Sequence, residues 1–244
     1  MTTLGKNRII VALDVDTVDR AVELVRLLND EVGAFKVGLE LANSVGLGIF
    51  DEIRRAGASR IFYDCKFHDI PNTVAGAARA AARLGVWMLN VHCSGGRTMM
   101  EAAKQAVSDT AADADVQPPL VIGVTVLTSI DQRTLNEELR VPGPVEDQAV
   151  HLALLAKEAG LDGVVASPHE IEPIRTACGS DFLIVTPGVR PIGADIGDQK
   201  RVMTPGEAVL KGADYLVIGR PITKAEDPVA AARAIAAEID LQQR

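Results

Sequence analysis

Residues 63–73 of the chain, YDCKFHDIPNT, set an acid, a base and a second acid, Asp64, Lys66 and Asp69, into a stretch that otherwise reads as the end of a β-strand. Charges of this kind are not buried singly, because an isolated ion in an apolar interior is too costly for a fold to carry. Placed together they support one another: a lysine beside carboxylates stays protonated, and each carboxylate stays ionised. Such a row is an electrostatic device, not a hydrophobic core. Two earlier strand-like stretches carry further charges, Asp14 in RIIVALDV (residues 8–15) and Lys36 in AFKVGLE (residues 34–40).

The elements that must hold these charges follow from hydrophobic patterning. Short runs rich in Val, Ile, Leu and Phe recur at residues 8–15, 34–40, 60–67, 87–93, 120–128, 163–167, 182–189 and 215–221, the pattern of buried strands. Between them, segments such as TVDRAVELVRLLND and DPVAAARAIAAEI place apolar residues at helical spacing, with Thr or Asp at several starts and Gly at several ends. Eight such alternations in 244 residues predict an α/β protein, a closed (β/α)8 TIM barrel in preference to a doubly wound open sheet. No Ser/Gly linker or compositional break divides the chain, so residues 1–244 read as a single catalytic domain. The interruption TSIDQRTLNEELRVPGPVEDQ after the fifth strand predicts an extra short helix and a turn, and RPIGADIGDQKRVMTP (residues 190–205) predicts a lid loop.

Strand residues alternate between faces, and in this barrel type the inward side chains at the C-terminal strand ends build the site. Ile10, Ala12 and Asp14 share one face, as do Ala34, Lys36 and Gly38, and Phe62, Asp64 and Lys66, while the opposite faces are mostly apolar. Asp14, Lys36, Asp64 and Lys66 are therefore expected at one mouth. Any one of them taken singly reads equally well as a solvated strand end. Gly219 and Arg220 close the last strand, where such barrels often bind phosphate, although Arg220 also reads as a surface ion-pair residue. Arg190 and Gln199 in the lid are individually weak signals. His151 and His169 read as surface or capping residues near helix starts, and Met99 and Met100 as helix packing.

A net charge of -8 excludes a general electrostatic grip on nucleic acid or an anionic membrane. An anionic ligand must then be held by a few placed cations. Cys65, Cys93 and Cys178 are widely spaced and form no CxxC pair, so neither a disulfide framework nor a zinc ribbon is indicated and a reducing cytoplasm is the expected compartment. The start MTTLGKNRIIVALDV lacks a signal-peptide pattern and no long apolar run follows, so neither secretion nor a membrane span is expected.

DCKFHDIPNT, with ALDVD, FKVGLE, VTVLTS, VTPGVRP and VIGRPI in that order, resembles the orotidine 5′-phosphate decarboxylase family across residues 11–223. The resemblance implies decarboxylation of orotidine 5′-phosphate to UMP and CO2, in de novo pyrimidine biosynthesis, without cofactor or metal. It implies that Lys66 protonates C6 of the pyrimidine within an array of Lys36, Asp64, Lys66 and Asp69. Asp14 and Lys36 would hold ribose hydroxyls, Thr128 the base, and Arg190, Gln199, Gly219 and Arg220 the phosphate. It further implies a homodimer in which Asp69, Ile70 and Thr73 serve the neighbouring subunit's site, whereas the residues alone also allow Asp69 to be a helix cap before Pro71. One alternative is a magnesium-dependent sugar-phosphate synthase or decarboxylase of the same barrel superfamily, with His68, His92 and Asp64 as imaginable ligands. DIPNT favours the pyrimidine enzyme. The other alternative is a non-catalytic nucleotide-binding barrel, which would have no use for a protonated amine at C6.

Overall fold

The computed structural model describes residues 4–191 and 203–242. Its strands are β1 (Ile9–Ala12), β2 (Ala34–Val37), β3 (Ile61–Phe67), β4 (Met88–His92), β5 (Leu120–Val124), β6 (Gly163–Val165), β7 (Leu183–Pro187) and β8 (Tyr215–Ile218). They form a closed parallel barrel in chain order, as the alternation predicts. The helices are α1 (Val18–Leu28), α2 (Leu39–Val45), α3 (Ile49–Arg55), α4 (Pro71–Arg83), α5 (Arg97–Asp113), α6 (Val145–Glu158), α7 (Ile171–Cys178), α8 (Pro205–Leu210), α9 (Arg220–Thr223) and α10 (Pro228–Gln242). The chain divides into two compact units, Met1–Cys65 with Gly188–Arg244, and Lys66–Pro187, so the division falls inside β3.

In the first unit β1 lies between β2 and β8, with Ala12 opposite Lys36, and β2 pairs with β3, with Lys36 opposite Phe62. The ladder continues one residue past β1, where the Leu13 amide donates to the Lys36 carbonyl. That bond leaves Asp14 just beyond the strand end. The buried stripe of α1, Ala21, Leu24, Val25 and Leu28, has the i, i+3, i+4, i+7 spacing of a helix with one apolar face. Each large side chain so buried contributes about 1.5–3 kcal/mol of transfer free energy. Thr204 and Glu207 close the start of α8 with a reciprocal pair of hydrogen bonds, satisfying two backbone donors that the first turn leaves open.

In the second unit β5 lies between β4 and β6, and β6 pairs with β7, with Asn90 opposite Ile122 and Val164 opposite Ile184. Pro71 starts α4, where its fixed φ suits the helix and its missing N–H costs nothing. Val74, Ala75, Ala78 and Ala81 line the buried face of α4, and Met99, Met100, Ala103 and Val107 that of α5. The methionines are thus packing residues, as expected.

Strand β5 ends earlier than its sequence suggests. The Thr125 amide and hydroxyl both donate to the Val165 carbonyl, and the chain bends away before Thr128. The expected extra helix is a single wide turn, Thr134–Glu138, held by Asp131 accepting from the Thr134 amide and by Gln132 and Asn136 donating to the Gly143 carbonyl. Among the described residues no helix is long and apolar enough to cross a membrane. The three cysteines are buried and none is in a disulfide.

Candidate active site

In the first unit Lys36 is the centre of a charge cluster. Its Nζ lies 3.0 Å from Oδ1 of Asp14 and 3.3 Å from Oδ2 of Asp64. The Lys36 and Asp64 side chains are 10% and 14% exposed, whereas Asp14 is 52% exposed. Burial alone would depress the Lys36 ammonium, but the charges of Asp64 and Asp14, with the hydrogen bonds they accept, outweigh it and hold the pKa above the ordinary lysine value. Lys36 is therefore a fixed cation at neutral pH. Its space depends on Gly38: a Cβ there would stand 2.8 Å from the Lys36 Nζ, closer than a side-chain carbon and an ammonium can approach. Gly38 thus has a role that its place in the motif did not reveal.

The end of β8 reaches the same cluster, since a Cβ on Gly219 would lie 3.5 Å from Oδ2 of Asp14. Arg220 is the first residue of α9. Arg190 has its pKa lowered, first by burial and then by the positive charge of Arg220. Two guanidinium groups, one of which feels the other's charge, have the chemistry to bind an anion. Gln199 and the rest of the expected lid from residue 192 to 202 lie outside the described residues.

In the second unit Lys66 has a backbone φ of 47°, in the left-handed region that costs a non-glycine residue roughly 1–3 kcal/mol. This φ departs from the extended backbone on which the alternation of faces rests. Its amide donates to Oδ1 of Asn90 at 2.7 Å. Asn90 was missed in the sequence, where its only signal is a polar residue between Leu89 and Val91 in a mostly apolar strand.

Asp69, Ile70 and Thr73 are all exposed, Ile70 at 67%. The residue that caps α4 is Ile70, without any side-chain bond. Asp69 instead accepts from the next amide, Ile70 N, at 2.6 Å, so the helix-cap reading does not hold. Thr128 is exposed in the turn after β5. His68 and His92 lie ring to ring, centroids 5.4 Å apart and tilted by 44°. Among the described residues no group of three His, Cys, Asp or Glu side chains is arranged to hold a metal. Cys93 is sealed in the core and its thiol is pushed up to about 12 by burial, so it is not an available nucleophile. His151 and His169 are exposed on α6 and on the short turn before α7.

Comparison with known proteins shows similarity over nearly the whole chain. The sequence model of the Orotidine 5′-phosphate decarboxylase / HUMPS family matches residues 7–235. The orotidine 5′-phosphate decarboxylase of Moorella thermoacetica is 58% identical over 237 residues, 97% of this chain and 94% of the relative. That of Syntrophotalea carbinolica is 53% identical over 239 residues, 98% of this chain and 97% of the relative. The crystal structure of orotidine 5′-phosphate decarboxylase from Lactobacillus acidophilus superposes with a TM-score of 0.83 at 38% identity, covering 95% of this chain and 98% of the other.

Proposed function

The chain belongs to the orotidine 5′-phosphate decarboxylase / HUMPS family, and on that premise we propose that it is a carboxy-lyase converting orotidine 5′-phosphate to UMP and CO2 in pyrimidine biosynthesis. The observation that carries this reading is the fixed ammonium of Lys36 between Asp14 and Asp64, on strands whose third member, β3, also bears Lys66. The relatives that match nearly end to end carry the same activity in their names.

In the proposed reaction the bond between C6 and the carboxylate breaks, CO2 departs, and the electron pair stays on C6. No carbonyl adjacent to C6 can take up that charge, so the protein must supply positive charge and a proton there. Lys66 does both: its ammonium stabilises the forming carbanion and then gives C6 a proton, and water reprotonates the amine. Asp64 and Lys36 keep the array ionised, and Asp14 with Lys36 takes the ribose hydroxyls. Thr128 contacts the base. The repulsion between Arg190 and Arg220 is relieved by a phosphate dianion, which Gly219 and Gln199 help to hold. No step calls on a metal or an organic cofactor.

We further propose that the active form is a homodimer, with Asp69, Ile70 and Thr73 completing the neighbour's site. Their shared exposure on the single chain, including a large apolar side chain, supports this. We also propose that residues 1–244 act as a single catalytic domain and that the protein works in the cytoplasm.

The experiment is direct. Purified protein is given orotidine 5′-phosphate with and without EDTA, and the loss of substrate absorbance is followed while UMP is identified by chromatography. Equal rates with and without EDTA are expected. Activity that disappears with EDTA and returns with magnesium would favour the metal-dependent sugar-phosphate branch of the barrel superfamily. Tight UMP binding without turnover would favour a nucleotide-binding barrel.

A further inference from the structure

We infer that Asn90 is a positioning residue for Lys66, an inference that rests on the proposed role of Lys66 as the proton donor. Lys66 occupies a left-handed backbone conformation, φ 47°, inside β3. Side-chain direction follows the backbone dihedrals, so the direction of the Lys66 ammonium depends on keeping this unfavourable conformation rather than relaxing to an extended one. A strained residue persists only when its surroundings over-determine it.

Asn90 supplies one such constraint. Its Oδ1 accepts the Lys66 amide at 2.7 Å, and because the donor is a backbone N–H, the accepting atom must be the oxygen of the side-chain amide. That bond clamps the peptide plane on one side of the Lys66 φ angle. Asn90 is itself immobile, being fully buried in β4 between Leu89 and Val91, with its backbone in register with Ile122 of β5. A buried asparagine in an apolar strand is costly unless it is hydrogen-bonded. Here its side-chain oxygen accepts from the one residue with a positive φ in the described strands.

If Asn90 served only to satisfy a buried amide, replacing it would lower stability and leave the chemical step intact. If it aims Lys66, the loss must fall on turnover. Asn90→Leu keeps the shape and removes the acceptor, Asn90→Ala removes both with less crowding, and Asn90→Asp keeps an oxygen in place. For folded Asn90→Leu or Asn90→Ala, kcat on orotidine 5′-phosphate is expected to fall on the order of 30- to 100-fold. KM and the dissociation constant of UMP should change less than about threefold. Asn90→Asp should recover most of kcat.

The inference is overturned by a folded Leu or Ala variant whose kcat stays within about threefold of wild type, by kcat and UMP affinity falling in proportion, or by no recovery in Asn90→Asp. Unfolding of both the Leu and the Ala variant, by circular dichroism and thermal melting, would assign Asn90 to stability and also overturn it. Wild type measured in parallel separates the two levels: if it does not decarboxylate the substrate, the functional reading fails, and if it does, any failure belongs to Asn90 alone.

Discussion

Nζ of Lys36 stands 3.3 Å from Oδ2 of Asp64, and both side chains are largely closed off from solvent. Breaking such a pair by removing one partner leaves an uncompensated charge and costs about 3–5 kcal/mol. Lys36→Met, which leaves Asp64 and Asp14 facing each other, should therefore be destabilised by about 3 kcal/mol, a fall in Tm of roughly 6–12 °C for a chain of this size.

The same pair sets a pH window. The folded-state pKa of Lys36 lies above its ordinary 10.5, so its stabilising contribution is fully present below that value and is lost only as pH rises through the folded-state pKa. The difference in Tm between wild type and Lys36→Met is thus expected to be constant from about pH 6 to about pH 9 and to shrink only in stronger alkali. A difference that varies across neutral pH would show that Lys36 titrates there, contrary to this account.

The Arg220 guanidinium, felt by Arg190, is assigned to the phosphate. Arg220→Ala should lower kcat/KM for orotidine 5′-phosphate roughly 10- to 100-fold, since hydrogen bonds to charged groups are the stronger class. Decarboxylation of the unphosphorylated nucleoside, already slow, should hardly change. Equal losses on both substrates would remove Arg220 from the phosphate site.

Much of this site is legible in the sequence because it rests on local rules. Asp14, Lys36 and Asp64 could be brought together from the period of two along three strands, and Pro71 marked the start of α4. What was not legible depends on non-local geometry. The positive φ of Lys66 and the acceptor of its amide, which comes from β4, depend on residues distant in sequence, so neither follows from the residues around Lys66. Gly38 stood inside a recognised motif, but its purpose, leaving room for the Lys36 ammonium, emerges only when a Cβ is placed there. The bend after Thr125 that ends β5 is likewise not encoded by a pattern of apolar residues.

The exposure of Asp69 leads to a test by subunit exchange. If Asp69 serves the neighbouring subunit, mixing nearly inactive Lys66→Ala and Asp69→Ala proteins gives heterodimers with one intact site and one doubly defective site. With random reassortment about half of the dimers are mixed, so roughly a quarter of all sites should regain wild-type turnover. Activity that stays at the level of the separate variants despite demonstrated exchange would place Asp69 in its own subunit's site.

The central claim is that Lys66 delivers the proton to C6, and the most direct measurement compares wild type with Lys66→Ala under saturating orotidine 5′-phosphate, alongside UMP binding and thermal melting. The account predicts that the variant folds, binds UMP within about tenfold of wild type and has no detectable decarboxylation, because the acid is gone while the phosphate and ribose contacts remain. A folded Lys66→Ala protein that still decarboxylates at a substantial fraction of the wild-type rate would contradict it.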